Sequence, residues 1–433
     1  MTTRRTFMQT TSAGVALGAS AVATANQAND RLSVALIGCG GRGPGVAEAM
    51  RSGRNVAVTH LCDPDRNRLE DNAKKFGVAN DRAVTDMRKI FDDKSVDAVI
   101  IATPDHWHAT AAIAACEAGK HVYVEKPCSH NFREGQLLVE AARKNKRVVQ
   151  HGTQSRSSRL IADGIQMLRE GIIGEVLVSK AWNVQRRGNI GKQQPGKAPS
   201  HVDYDCWVGP AAYLPYQSNR FHYTWHWWHN FGTGDMGNDG VHELDYAVWG
   251  LGVDDHPSQI SGLGGKYAMD DDQQFPDTQT VVFEWPGEVG NRRQLIFEMR
   301  LWSTNFPHNV DNGVEFYGTK GRMLLTKRGK REVYTDRNEL IKDAQPKEPY
   351  PLKESNHYHD FVDAILNSRT PQAEIEIGHR SAALCHFGNI ATRLGRSLEF
   401  DREKQIIVSD EEATRLLSRE YRGGGHWAVP QGV

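Results

Sequence analysis

Short continuous apolar runs recur through the first third of the chain, and each leads through a polar turn into a stretch with helical spacing. The runs cover residues 34–37, 56–62, 96–103 and 121–124, and the helical stretches cover 44–50, 109–118 and 132–145. Continuous apolar runs of this length are typical of parallel strands buried on both faces. The alternation predicts a doubly wound parallel sheet, a Rossmann domain, over residues 31–150.

After residue 152 the pattern changes to strands in succession with few helices. Strands are predicted over 176–182, 280–285, 294–302, 314–317 and 322–326, with a hairpin turn at 318–321. Two helices are predicted over 357–367 and 378–394, and a polar surface loop over 328–353. The fold class is therefore α/β, with a second, α+β domain over 151–400 built on an open, largely antiparallel sheet. Residues 401–433 form a C-terminal tail.

Composition narrows the choice of partners. The 433 residues carry 53 basic and 53 acidic side chains, so nothing in the charge favours nucleic acid or an anionic membrane surface. The six cysteines form no C-x-x-C pair, and we expect free, partly buried thiols rather than a disulfide framework.

The N-terminus has the features of an export signal. Arg4 and Arg5 form a twin-arginine pattern, a weakly apolar run covers 13–23, and Ala23-Thr24-Ala25 resembles a cleavage site. We predict a Tat signal over residues 1–25 and a periplasmic protein, tethered if cleavage fails. The apolar run is too short for a membrane span, so none is expected in the mature chain.

The turn after the first apolar run is a Gly-x-Gly-x-x-Gly motif. Gly38 allows the tight turn, Gly40 lets backbone approach a pyrophosphate, and Gly43 lets helix pack on strand. Asp63 follows the second strand, 20 positions after Gly43, where a carboxylate holds a ribose 2′-hydroxyl. The motif predicts a bound dinucleotide, NAD in preference to NADP. Because the basic residues Arg66 and Arg68 follow closely, NADP remains an alternative cofactor.

Four segments together resemble the Gfo/Idh/MocA oxidoreductase family, in an exported bacterial branch similar to glucose–fructose oxidoreductase. The segments are 38–43, 103–108, 125–127 and 232–245. The resemblance implies an NAD(P)-dependent enzyme that transfers a hydride between nicotinamide and a secondary hydroxyl of a sugar or polyol. It implies no metal. It also implies cofactor contacts for Arg42, Thr103, Pro104, His108, Glu125 and Lys126.

Lys126 and His242 are the predicted catalytic pair. A cation at Lys126 can orient the substrate hydroxyl and stabilise alkoxide character, and an imidazole at His242 can take its proton. Family members carry an Asp four residues before this His, whereas this chain has Asn238. Either Asp239 substitutes, or His242 works without that carboxylate, or the chemistry is not simple dehydrogenation.

Residues 221–231 are unusually rich in Trp and His and directly precede the segment that carries His242. Sugar rings stack on aromatic faces, so Tyr223, Trp225 and His226 are predicted substrate contacts. The alternative is a sheet edge that packs its aromatics into the core. A metal site at His222, His226 and His229 has ligand-like spacing but is not expected. Gln154 and Arg156 are predicted to contact substrate or cofactor, or else to make an interdomain hydrogen bond.

Two other functions remain open. Some family members are redox glycoside hydrolases that oxidise a ring carbon transiently around a tightly bound cofactor. A non-catalytic sugar-binding protein is the alternative from another class. The open sheet also predicts a homo-oligomer.

Overall fold

The computed structural model describes residues 31–433, so the predicted export signal lies outside the described residues. The first domain is a parallel sheet of six strands in the order β3-β2-β1-β4-β5-β6. The strands are β1 (Leu32–Ile37), β2 (Val56–Cys62), β3 (Ala83–Val84), β4 (Ala98–Ile101), β5 (His121–Val124) and β6 (Val149–His151). Its helices are α1 (Gly43–Arg51), α2 (Arg66–Phe76), α3 (Arg88–Asp92), α4 (Asp105–Glu117) and α5 (Phe132–Lys144). The predicted doubly wound fold is confirmed.

The continuous apolar character of β1 and β4 follows from burial on both faces. Along β1, Ala35 and Ile37 pack into one core cluster, whereas Val34 and Leu36 pack into another on the opposite face. Strands β2 and β3 are added on one side of β1, and β4 to β6 on the other side. Ligands of such sheets bind outside the carboxyl ends of the strands at this point, between β1 and β4.

The second domain is a nine-stranded sheet in the order β13-β12-β11-β7-β10-β9-β8-β14-β15. Its strands are β7 (Val176–Asn183), β8 (Gln259–Gly265), β9 (Thr278–Trp285), β10 (Arg293–Arg300), β11 (Asn312–Gly318), β12 (Gly321–Leu325), β13 (Arg331–Thr335), β14 (Leu398–Asp401) and β15 (Ile406–Ile407). Strands β7 and β10 pair in parallel, and the other strand pairs of this sheet are antiparallel. The predicted open, largely antiparallel sheet is confirmed.

One predicted loop is partly wrong. Strand β13 lies inside the segment 328–353 and pairs with β12 along Arg331–Thr335. Val333 is its one deeply buried side chain, so the strand lacks the apolar alternation that reveals strands in a sequence.

Helices cover one face of this sheet and leave much of the other open. The helices outside the first domain are α6 (Arg159–Arg169), α7 (Tyr204–Val208), α8 (Val241–Leu251), α9 (His357–Leu366), α10 (Ile375–Leu394) and α11 (Glu411–Arg415). Leu244 of α8 and Phe387 of α10 share a core with Phe297 and Phe316 of the sheet.

The C-terminal part of the chain completes the core of the first domain. Phe361 and Val362 of α9 pack with β1, and Ile375 of α10 packs into the cluster on the other face. Near the end of the chain, Ala428 is buried in that second cluster. The Trp427 ring lies 5.8 Å from that of Trp107 on α4.

All six cysteines are free thiols, five of them buried.

Within residues 31–433 no helix has the combination of length and apolar composition needed to span a bilayer.

Candidate functional site

A cavity of about 620 Å³ opens at the carboxyl ends of β1, β2, β4 and β5. It gathers most of the predicted site residues. The predicted residues that line it are Gly38, Gly40, Arg42, Asp63, Thr103, Pro104, His108, Glu125, Lys126, Tyr223, Trp225, His226 and Asn238. The glycine-rich turn and the aromatic segment both line it, so the cavity has two different kinds of wall.

At Gly38 and Gly43 the glycine-rich turn has no room for a side chain. Gly38 has φ of +95°, and a Cβ there would come within 3.0 Å of the Ala102 backbone. A Cβ at Gly40 would lie 2.6 Å from Arg68 Nη1, and one at Gly43 would meet the Gly38 carbonyl. Helix α1 begins at Gly43 with a proline in its first turn. This bare backbone ahead of a helix N-terminus fits the pyrophosphate of a dinucleotide.

Asp63 has a second role besides the predicted ribose contact. Its buried carboxylate accepts hydrogen bonds from the backbone N–H groups of Cys39 (2.7 Å) and Asp65 (2.8 Å). Burial raises the pKa of Asp63 to about 6. Asp63 therefore ties the glycine-rich turn to the end of β2.

Asp65 also lines the cavity and was not predicted. It accepts from Asn67 N (3.0 Å) as the N-cap of α2, and its other oxygen lies 3.3 Å from His222 Nε2. An Asp directly before a helical stretch was the available signal.

Lys126 and Asn238 meet in the middle of the cavity. Lys126 Nζ donates to the backbone carbonyl of Asn238 and to its side-chain Oδ1, the latter at 3.1 Å. The Lys126–Pro127 peptide bond is cis.

Asn238 lies in a π-helical turn over Met236–Gly240, directly before α8. The expectation that Asn238 and His242 share a face assumed α-helical spacing, and a π turn alters that spacing. Within this turn Asn238 faces Lys126. Asp239 instead accepts from Lys327 Nζ at 2.9 Å.

His242 is a neutral imidazole in this setting. Burial and, next, the Lys327 charge hold the pKa of His242 well below its ordinary value. Neither ring nitrogen hydrogen-bonds to another group within residues 31–433. Lys327 also pairs with Glu243 Oε1 at 3.0 Å, and burial raises the pKa of Glu243 to about 8. The placement of Asp239 on Lys327 thus leaves His242 as a base without a carboxylate partner in the described part of the chain.

The segment after β4 is held by polar contacts on both sides. His108 Nδ1 lies 2.6 Å from the Pro127 carbonyl, and Nε2 lies 2.8 Å from the Thr103 carbonyl. Asp105 accepts from Thr233 Oγ1 at 2.6 Å. These bonds connect the segment after β4 to Pro127, next to Lys126, and to Thr233, shortly before the π turn.

The aromatic segment forms the opposite wall, but as a 3₁₀ turn over Thr224–Trp227 and not as a sheet edge. The rings of Trp225 and His226 stack with centroids 3.6 Å apart, and Tyr223 is 54% exposed at the mouth. Trp225 also belongs to a buried cluster around Trp207, together with three other aromatics of the segment, Phe221, Trp228 and Phe231. The aromatic segment therefore contributes both to the lining of the cavity and to a buried core.

The three histidines with ligand-like spacing have separate partners. His222 is beside Asp65, His226 Nδ1 contacts the Tyr223 carbonyl, and His229 packs on Phe275. Residues 31–433 contain no group of three or more His, Cys, Asp or Glu side chains placed to hold a metal ion.

Gln154 and Arg156 separate in the structure. Gln154 Nε2 donates to Tyr123 Oη (3.1 Å) and approaches Glu125 Oε1 (3.4 Å). Glu125 also accepts from Arg42 Nε at 2.9 Å. Burial raises the pKa of Glu125, but the charges of Arg42 and Lys126 outweigh it, so the net shift is downward.

Arg156 does not line the cavity that contains Lys126. Its Nε contacts both oxygens of Asp245 at 3.0 Å, in a second cavity of about 530 Å³ beside Trp249. Because its guanidinium pairs with this fully buried carboxylate, it is directed away from Lys126.

Two family models match most of the chain. The first, described as "Oxidoreductase family, NAD-binding Rossmann fold", covers residues 32–153. The second, "Oxidoreductase family, C-terminal alpha/beta domain", covers residues 167–285 and 322–428.

Curated relatives are similar over parts of their length. Levoglucosan dehydrogenase of Pseudarthrobacter phenanthrenivorans is 37% identical over 113 residues, 26% of this chain and 28% of that protein. Myo-inositol 2-dehydrogenase of Thermotoga maritima is 27% identical over 302 residues, 68% of this chain and 75% of that protein. A glycosyl hydrolase family 109 protein of Shewanella pealeana is 29% identical over 162 residues, 35% of each chain.

A solved structure of levoglucosan dehydrogenase with NADH and levoglucosan superposes with a TM-score of 0.64 at 20% identity. The match covers 85% of this chain and 99% of the other, and at this identity it shows a shared fold.

Proposed function

We propose that this chain, which belongs to the Gfo/Idh/MocA family of NAD-binding oxidoreductases, transfers a hydride between a nicotinamide cofactor and a secondary hydroxyl of a sugar or polyol. The observation that carries the proposal is the single cavity in which Lys126 lies between a glycine cradle and an aromatic platform. Relatives named for levoglucosan and myo-inositol support a substrate of this class.

The residues present fit NAD. The glycine cradle at Gly38, Gly40 and Gly43 would hold the pyrophosphate, and Asp63 would hold the ribose hydroxyls. A carboxylate repels a 2′-phosphate, so Asp63 favours NAD over NADP. When bound, NAD supplies the carbon that accepts or returns the hydride.

Lys126 and His242 perform the proton chemistry. An ammonium has three N–H donors, and Asn238 accepts two of those of Lys126. The third is available to the substrate oxygen, which it orients and whose negative charge it stabilises during reaction. The hydroxyl proton would pass to a ring nitrogen of His242. The lowered pKa keeps this ring neutral but also makes it a weaker base than an ordinary histidine, so stabilisation of the alkoxide by Lys126 has to supply more of the driving force.

Export would change how the enzyme works. With the twin-arginine signal at residues 1–25, the protein would act in the periplasm, where free NAD is scarce. The cofactor would then stay bound and be recycled in the site. This favours a paired oxidation and reduction of two sugars and, equally, a transient oxidation that enables another reaction.

A redox glycoside hydrolase is the second candidate, and the similarity to a family 109 glycosyl hydrolase favours it. The same residues would remove a hydride from a ring carbon and the proton from its hydroxyl. The resulting ketone would acidify the neighbouring C–H, so that its proton is lost as the aglycone is eliminated. Water would then add to the double bond, and return of the hydride and proton would restore the hydroxyl. The two candidates differ in products. A dehydrogenase changes the redox state of the sugar, whereas a redox glycosidase releases an aglycone without net redox change.

We also propose that the open sheet face pairs two or more copies of the chain. Leu263 on β8 is 74% exposed, and Tyr267 and Trp302, just beyond the ends of β8 and β10, are 73% and 41% exposed. Light scattering on the purified protein tests this, and a monomer at all concentrations would exclude it.

The first test of function is to purify the exported protein, denature it and identify the released dinucleotide by mass. Stoichiometric NAD(H) would support a retained cofactor, and free sugars and glycosides would then be assayed for oxidised sugar and released aglycone. If the protein neither binds a dinucleotide nor turns over any substrate, the proposal fails and the non-catalytic sugar-binding alternative stands.

A further inference from the structure

We propose that Asp235, to which the sequence analysis gave no role within the segment 232–245, is a positioning residue that sets Lys126 through the side chain of Asn238. The effect on turnover rests on the proposed function, but the effect on Lys126 does not. Asp235 is fully buried and is the N-cap residue of the π turn, with helical backbone angles.

The carboxylate of Asp235 is held from three directions. Oδ1 accepts from Asn238 Nδ2 at 2.9 Å and from Arg187 Nε at 3.0 Å. Oδ2 accepts from Asn183 Nδ2, at the end of β7, at 2.9 Å. Its position is therefore fixed by strand β7 and by a charged partner, independently of the cavity.

This contact decides which way the Asn238 amide points. An amide has a donor end and an acceptor end. Because Nδ2 donates to the Asp235 carboxylate, Oδ1 faces Lys126 Nζ at 3.1 Å. A negative group at one end and a positive group at the other make this orientation much better than its reverse, which would aim N–H groups at an ammonium.

The arrangement accounts for Asn238 at a position where the family resemblance led us to expect an aspartate. The negative charge has not left the site but lies one amide further from Lys126, on Asp235. A neutral amide then holds Lys126 without neutralising its charge at direct contact.

The same anchor reaches the aromatic wall. Arg187, which pairs with Asp235, has Nη1 3.4 Å from Tyr223 Oη and Nη2 3.9 Å from Asp239. One buried carboxylate thus connects the cation that orients the hydroxyl to the platform that would hold the sugar.

A double-mutant cycle tests the proposal. The variants are Asp235→Ala, Asn238→Leu and the two combined, all held at the same NAD concentration. Lysines are acetylated with acetic anhydride. The acetylation rate of Lys126 is measured by mass spectrometry relative to that of the exposed Lys192 in the same molecule. We expect each single variant to label Lys126 about 3- to 10-fold faster, because the ammonium loses an acceptor that held it. The double variant should be no faster than either single one, because both remove the same link.

The matched control is Asp360→Ala. Asp360 is also fully buried and pairs with an arginine, Arg369, at 2.7 Å. Its hydrogen bonds and ion pairs within residues 31–433 do not involve Lys126. Its variant should lose stability and leave the labelling of Lys126 unchanged. If Asp235→Ala does not fold, Asp235→Asn keeps an acceptor oxygen and should give a smaller rise in the same direction.

An unchanged labelling rate in the Asp235 variants, or a double variant whose effects add, would overturn the proposal. With an active substrate, kcat should fall about tenfold in Asp235→Ala with little change in KM. If no sugar is turned over by the wild type, the proposed function fails while the labelling still decides the role of Asp235.

Discussion

The two walls of the cofactor cavity are built in different ways. The glycine wall is backbone, and its shape follows from the missing Cβ atoms of Gly38 and Gly43 and from a turn only a few residues long. The aromatic wall is made of side chains, Tyr223, Trp225 and His226, on an irregular segment that is packed over a cluster of its own.

The difference indicates how each wall responds to change. A backbone wall tolerates most substitutions nearby but no added atom at Gly38 or Gly43, where a Cβ would meet other backbone atoms. A side-chain wall accepts a new side chain at the cost of a different ligand preference. The cofactor side should therefore be the stricter of the two, and the substrate side the more adjustable.

Lys126 lies where the walls meet, and its substitution should have the largest effect. Lys126→Met keeps the length of the side chain but removes the charge and all donors. We expect kcat to fall by about 10²- to 10³-fold, as for the loss of one oxyanion-stabilising donor. Bound dinucleotide, measured by mass after denaturation, should remain. Activity within a few-fold of the wild type would remove Lys126 from the reaction.

A methyl group on the glycine wall is the next largest change. Gly38→Ala adds a Cβ within 3.0 Å of the Ala102 backbone at a φ of +95°, so the turn must shift. We expect NAD affinity, measured by calorimetry, to weaken on the order of 10- to 100-fold. The control is Gly45→Ala in α1, where an added Cβ meets nothing within 4 Å. Equal affinities in the two variants would contradict the view that backbone shape governs this wall.

Acid should weaken the aromatic wall through His226. Burial lowers the pKa of His226 to about 3, whereas the unfolded chain protonates near 6.5. The stability that this neutral ring contributes is complete above pH 6.5, and it is lost as the pH falls from 6.5 toward 3. Roughly 2 kcal/mol is lost at pH 5.

His226→Gln should remove that part of the pH dependence. Urea unfolding of the wild type and the variant at pH 7, 6 and 5 would measure it. We expect the two free energies of unfolding to converge toward low pH, and parallel curves would show that the ring does not titrate as inferred.

The smallest effect is expected from the platform itself. Trp225→Ala removes a ring face worth about 1 kcal/mol to a stacked sugar, so KM for the sugar should rise roughly 3- to 10-fold. NAD affinity should change less than that. A larger loss for NAD than for sugar would mean that Trp225 belongs to the cofactor wall.

Local sterics made part of the site predictable. The glycine turn and the strand before it are contiguous, so a few residues reveal both. The residues of the 125–127 motif were likewise recognisable because the motif is a short contiguous pattern.

The remainder depends on contacts between distant segments. The π turn at Met236–Gly240 differs from an α turn by one hydrogen-bond step, and the sequence of five residues does not distinguish them. Arg156 was a reasonable substrate contact until Asp245, 89 positions away, was found against it. The Asp235–Asn238 hydrogen bond is local, but its effect on the site is evident only once Lys126, more than a hundred positions earlier, is seen to contact Asn238.

The packing of the C-terminal helices and tail onto the first sheet has a consequence for how the protein is made. Phe361, Ile375 and Ala428 all belong to the core of the cofactor domain. A nascent chain that has emerged only through residue 150 lacks these contacts, so its glycine turn rests on an unfinished core. The dinucleotide site should mature only after the ribosome has completed nearly the whole polypeptide. Acquisition of the cofactor is then a late event, coupled to the closing steps of folding rather than to the synthesis of the domain that holds it.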